Sequence, residues 1–121
     1  MIDFTIHGII RGGKNNINIT RTGRRYPNKS WAIFRDRVVN EIRDMMRKEG
    51  LKTFENRLKI EIGYYNGDLR RRDVPAMLDS LWSCMEKAEL VKDDCLFTDV
   101  NWFSMGMDKT NPRVEIRIEE I

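Results

Sequence analysis

Apolar and polar residues alternate over residues 2–10, with Ile2, Phe4 and Ile6 pointing one way and Asp3, Thr5 and His7 the other. A period of two predicts a half-buried strand. Gly12, Gly13, Asn15, Asn16 and Asn18 accept the positive backbone angles of turns, so a loop is expected from there to about Pro27. Trp31, Phe34, Val38, Ile42 and Met45 then recur every three or four residues, the spacing of one buried helical face. Asn28 or Ser30 can cap that helix, and Gly50 closes it. A second strand is expected over residues 57–65, where Leu58, Ile60, Ile62 and Tyr64 oppose Lys59 and Glu61. Beyond the turn Asn66-Gly67-Asp68, a second helix should begin near Asp73, which can cap it; Pro75 is tolerated because it falls in the first turn. Its apolar stripe is Val74, Met77, Leu78, Leu81, Trp82, Met85 and Ala88. Residues 96–104 predict a strand with poorly sorted faces. Val114, Ile116 and Ile118, alternating with Glu115, Arg117 and Glu119, predict the last one.

The order β-α-β-α-β-β defines an α/β (α+β) domain with a mixed four-stranded sheet and two helices. A chain of 121 residues suits one such domain, residues 1–121. Two helices cover one face of the sheet, and a homodimer would cover the other. No apolar run approaches the roughly 20 residues that span a bilayer. The opening Met-Ile-Asp-Phe-Thr-Ile-His lacks the basic-then-apolar form of a signal peptide, so a cytoplasmic location is expected.

Net charge changes this picture only when it is located. The total is +3, yet residues 11–35 hold Arg11, Lys14, Arg21, Arg24, Arg25, Lys29 and Arg35 without one acid. The span from Asp79 to Asp99 has six acids against Lys87 and Lys92. A basic loop interleaved with Asn15, Asn16, Asn18, Thr20 and Tyr26 suits a phosphate backbone, and the segregation of charge favours that over the alternative of a solvated loop that happens to be basic. Cys84 and Cys95 are expected to be small, mostly buried thiols, and with His7 the only histidine a structural zinc site is not expected. His7 reads as a solvent-facing strand residue rather than a catalytic base. Hydrolytic chemistry would therefore rest on carboxylates and a metal. Asp73, beside Arg70-Arg71-Arg72, and the later pair Asp93-Asp94 offer the hard oxygens that Mg2+ takes. On spacing alone, a helix cap at Asp73 and a turn at Asp93-Asp94 are the better explanation.

The Arg-Arg-Arg-Asp run, the helix after it, Lys87-Ala88 and the closing Asp93-Asp94 resemble RusA-type Holliday junction resolvases. Asn15-Asn16, the helix Trp31 to Ile42 and the strand Arg113-Val-Glu-Ile-Arg-Ile extend the resemblance over most of the chain. It implies a dimeric Mg2+-dependent endodeoxyribonuclease, with Mn2+ as an alternative ion, that cuts four-way junctions and other branched DNA. The family's first and last catalytic aspartates fall on Asp73 and Asp94, and Arg72 precedes the first, where it would neutralise phosphate charge. Lys14, Asn15, Asn16, Arg21, Arg24, Arg25, Arg70 and Arg71 would hold the DNA.

The family usually reads Asp-x-Asp-Asn where this chain has Asp73-Val74-Pro75-Ala76, and it carries an active-site lysine at the position of Asp79. Positions 75 and 79 lie one helical turn apart, so Asp79 is a candidate for the ligand missing at Pro75. The alternative is a catalytically impaired junction-binding protein that keeps the fold. A protein–protein module using the same charges is a third reading.

Overall fold

The computed structural model describes residues 1–12 and 17–121. Strand β1 (Ile2–His7) leads to a short hairpin of β2 (Ile17–Ile19) and β3 (Arg25–Pro27), followed by helix α1 (Lys29–Glu49). Strand β4 (Leu58–Asn66), helix α2 (Val74–Lys87), a single 3-10 turn at Asp94–Leu96, and strands β5 (Phe97–Met107) and β6 (Arg113–Glu120) complete the chain. The main sheet runs β1-β6-β4-β5, with β4 and β5 parallel and the other pairs antiparallel. It is the mixed four-stranded sheet with two helices that the residue pattern predicts. A parallel pair needs a crossover, and α2 provides it.

The β2–β3 hairpin is a correction to the expected loop. Each strand is only three residues long, and Asn and Gly mask so short an alternation. The turn between them closes through Gly23 N–H donating to Thr20 C=O at 2.9 Å and Arg24 N–H donating to Thr20 Oγ1 at 3.0 Å. β5 also continues three residues past the expected end. As the edge strand it has few buried positions, which is why its faces are poorly sorted in the sequence.

Both helices begin where residue chemistry allows. Asn28 caps α1, its Oδ1 accepting from Ser30 N–H at 3.0 Å and Trp31 N–H at 3.3 Å. Gly50 ends α1 in the left-handed conformation at φ 62°, which glycine adopts without a Cβ penalty. Trp31, Phe34, Val38, Val39 and Ile42 of α1 are buried, as are Met77, Leu81, Cys84 and Met85 of α2. Apart from Trp31, these residues form one core with Leu58, Ile60 and Ile62 of β4 and Val114, Ile116 and Ile118 of β6. Truncating one of these large buried side chains to alanine costs about 2–5 kcal/mol.

The outer face of the sheet is ionic over much of its area. Arg117 pairs with Asp3 at 2.8 Å, and Lys59 lies 3.5 Å from Glu61 and 3.9 Å from Glu119. Its exposed apolar side chains concentrate on β5, where Phe103 and Met105 are each 53% exposed. No helix among the described residues is long and apolar enough to cross a membrane. Cys84 is buried, and burial pushes its thiol up to about 12; Cys95, against expectation, is exposed. His7 is exposed at the end of β1, as its strand position predicts.

Candidate functional site

The candidate residues divide between the two ends of α2. At the start, Asp73 occupies the capping position, and its C=O accepts from Met77 N–H at 3.0 Å. The Asp73 side chain makes no capping hydrogen bond, so this exposed carboxylate is not spent on the helix. Pro75 falls in the first turn and is exposed, and Asp79 is half-buried one turn later. Asp79, Ser83 and Glu86 follow one another at i, i+4 and i+7 along one side of the helix.

The preceding segment is basic and tied down. Arg72, whose side chain is 19% exposed, donates through an Nη2 hydrogen to Asp68 Oδ2 at 3.1 Å. Arg70 N–H donates to Asp68 Oδ1 at 2.9 Å, and the Arg70 C=O accepts from Asn66 Nδ2 at 3.1 Å. The Arg70 amide first, and the Arg72 guanidinium after it, hold the Asp68 carboxyl below its ordinary value. Burial raises the neighbouring Tyr64 hydroxyl, with Arg72 pulling the other way. A pocket of about 350 Å3 opens here, lined by Tyr64, Asn66, Asp68, Arg72 and Met107 among others.

At the far end of α2, Glu86, Asp93 and Asp94 each place a carboxylate oxygen within 4.8 Å of the other two. Asp94 N–H donates to Glu86 Oε1 at 2.7 Å, and Asp93 Oδ1 accepts from Cys95 N–H at 2.9 Å, starting the 3-10 turn. The Cys95 amide first, then its thiol, holds the Asp93 carboxyl below its ordinary value; the same contact raises the thiol. Buried Leu90 and Val91 fix the intervening chain, with Leu90 N–H donating to Met85 C=O at 3.0 Å. Trp82 stacks on Phe97 with ring centroids 4.6 Å apart, joining α2 to the start of β5.

Among the described residues, the group of three carboxylates therefore contains Asp94 with Glu86 and Asp93, not with Asp73 and Asp79. The thirteen positions from Asp73 to Glu86 correspond to roughly 20 Å of helix axis. Glu86 is not among the candidates the sequence pattern offers; its signal is its place at i+7 from Asp79, in the last turn before Asp93-Asp94. Of the nucleic-acid candidates, Arg21, Arg24 and Arg25 are exposed on the hairpin, and Arg70 and Arg71 are exposed before α2. Lys14, Asn15 and Asn16 lie outside the described residues.

The donor set fits a hard divalent cation. Three carboxylates offer the oxygen ligands of Mg2+ and leave room for water or a phosphate oxygen. They also stand at the C-terminal, partially negative end of α2, where a cation relieves both their mutual repulsion and the helix dipole.

Fold and site together describe a small α+β domain with a carboxylate cluster at one end of its crossover helix and arginines at the other. The chain is similar to the crossover junction endodeoxyribonuclease RusA of Aquifex aeolicus (strain VF5), at 31% identity over 65 residues. That match covers 54% of this chain, and the chain spans about half the length of this relative, 49%. No protein-family model matches the chain.

Proposed function

We propose that this protein is a Mg2+-dependent, structure-selective endodeoxyribonuclease of branched DNA, Holliday junctions included, that works as a homodimer in recombination or repair. The observation that carries the reading is the Glu86-Asp93-Asp94 cluster, in a chain similar to a crossover junction endodeoxyribonuclease.

Glu86, Asp93 and Asp94 would hold the ion, which when bound lowers the pKa of a coordinated water and stabilises charge on the phosphate. Mn2+ satisfies the same oxygen donors. Asp73 and Asp79 are further ligands in this proposal, but roughly 20 Å of helix between Asp73 and Glu86 is too far for one ion. A two-fold dimer resolves the distance if Asp73 of one copy meets Asp94 of the other. Each ion would then depend on both chains, and two such sites suit a junction cut on two strands. The exposed apolar residues of β5 offer area for dimer contact. Arg72 neutralises phosphate charge beside Asp73. Arg21, Arg24 and Arg25 of the hairpin, with Arg70, Arg71, Lys14, Asn15 and Asn16, hold the flanking backbone.

Pro75 favours a second reading, a junction-binding protein with impaired catalysis, because it places no ligand in the first turn of α2. Incubating a labelled four-way junction with Mg2+ separates the two. The nuclease reading expects symmetric nicks that disappear in Asp73→Asn and Asp94→Asn. Tight binding without nicks in Mg2+ or Mn2+ leaves the binding protein. Asp79→Asn is expected to abolish cutting and spare binding if Asp79 replaces the ligand missing at 75.

A further inference from the structure

Three segments far apart in sequence meet at a cleft of about 330 Å3 whose walls include Arg11 and Gly12 after β1, Ser30 at the start of α1, and Arg70 and Arg72 before α2. Among the described residues, three arginines and no acidic residue line it. Asp68, the partner of Arg72, belongs to the neighbouring Tyr64 pocket, so Arg72 stands between the two spaces. The close approach of the β1 exit to α2 shapes the cleft. A Cβ added at Gly12 would lie 3.2 Å from Ala76 Cβ, so a larger residue there pushes this wall away from the helix. Asn28 already takes the Ser30 and Trp31 amides, so the positive charge of the cleft comes from its arginines rather than from bare helix amides.

We propose that this cleft is a phosphate subsite, built to hold one phosphate group of a nucleic-acid strand next to Asp73. Guanidinium groups present paired donors that match phosphate oxygens, and three of them around one concave space favour a compact anion over a solvated surface contact. Arg11 supplies the third, and nothing in its position in the sequence sets it apart from the other basic-loop residues. The identity of the bound strand rests on the nuclease reading; the affinity for phosphate rests on the cleft alone.

The test is a titration of the full-length protein with inorganic phosphate, followed by NMR of the arginine Nε–H and Ser30 amide signals. Saturable shifts at Arg11, Arg70, Arg72 and Ser30 are expected. Affinity should fall about fivefold to tenfold in Arg11→Ser and again in Arg70→Ser, both exposed positions, with an unchanged unfolding temperature. Lys52→Ser, remote from the cleft, should bind like wild type. Shifts that do not saturate, or that survive the double variant, overturn the assignment. A second arm compares short oligonucleotides with a 5′-phosphate and with a 5′-hydroxyl. Tighter binding of the former assigns the cleft to strand ends, and equal binding assigns it to internal phosphodiesters. Phosphate binding that persists in a protein unable to cut junctions would refute the nuclease reading alone.

Discussion

Ser80 is the buried polar residue through which α2 grips the start of α1, and its removal has a calculable effect. Its Oγ accepts from the Trp31 indole Nε1–H at 3.2 Å, and both side chains are buried. Ser80→Ala removes the acceptor and leaves the indole N–H without one, at a cost of about 1–3 kcal/mol. The volume change is one hydroxyl, so the cavity contribution is small beside this. For a chain of this length, 2 kcal/mol corresponds to a fall in Tm of about 5–10 °C. Urea unfolding followed by tryptophan fluorescence should show a lower midpoint with an unchanged m value. Trp31→Phe removes the donor instead, and the double variant should reveal a coupling of about 1 kcal/mol between the two positions. A loss below about 0.5 kcal/mol for Ser80→Ala, or no coupling in the cycle, would show that this hydrogen bond does not fix α1 against α2. Trp31 also lines the arginine cleft, so loosening this contact should weaken phosphate binding without touching a guanidinium.

Two further outcomes follow from backbone and charge. Glu89 has φ 63°, so Glu89→Gly should stabilise the fold by about 0.5–1 kcal/mol, read as a raised urea midpoint. Asp108 is held below its ordinary value of 3.8 mainly by the Arg113 guanidinium at 2.8 Å. The unfolded chain therefore takes up this proton first as the pH drops. The contribution of Asp108 is complete above 3.8 and is lost as the pH falls through its lower native value. Asp108→Asn should flatten this part of the acid limb of a stability–pH profile.

Much of the fold was legible because burial imposes periods. Leu58, Ile60 and Ile62 alternate on β4 and are all buried, and the Trp31-to-Ile42 spacing marks the face that α1 turns inward. β5 was blurred because an edge strand has little burial to pattern it, and the hairpin was too short to show a period. The candidate site was legible residue by residue but not in its grouping. Spacing shows that Asp73, Asp79 and Glu86 share a helix; only the tertiary path through buried Leu90 and Val91 brings Asp94 back to Glu86. Arg11 was visible as one charge of seven, and its meeting with Arg70 and Arg72 depends on the approach of Gly12 to Ala76.

The central claim is an ion site that depends on Asp73 of one copy and Asp94 of the other. Mixing Asp73→Asn and Asp94→Asn chains under exchange, then adding a labelled junction and Mg2+, tests it most directly. Random exchange makes about half the dimers mixed, each with one intact site, so about a quarter of wild-type sites should return. Nicking restored by mixing, when each variant alone is inactive and still binds the junction, is the predicted result. A mixture as inactive as its parts, despite cutting by the wild-type protein, would contradict a site shared between copies.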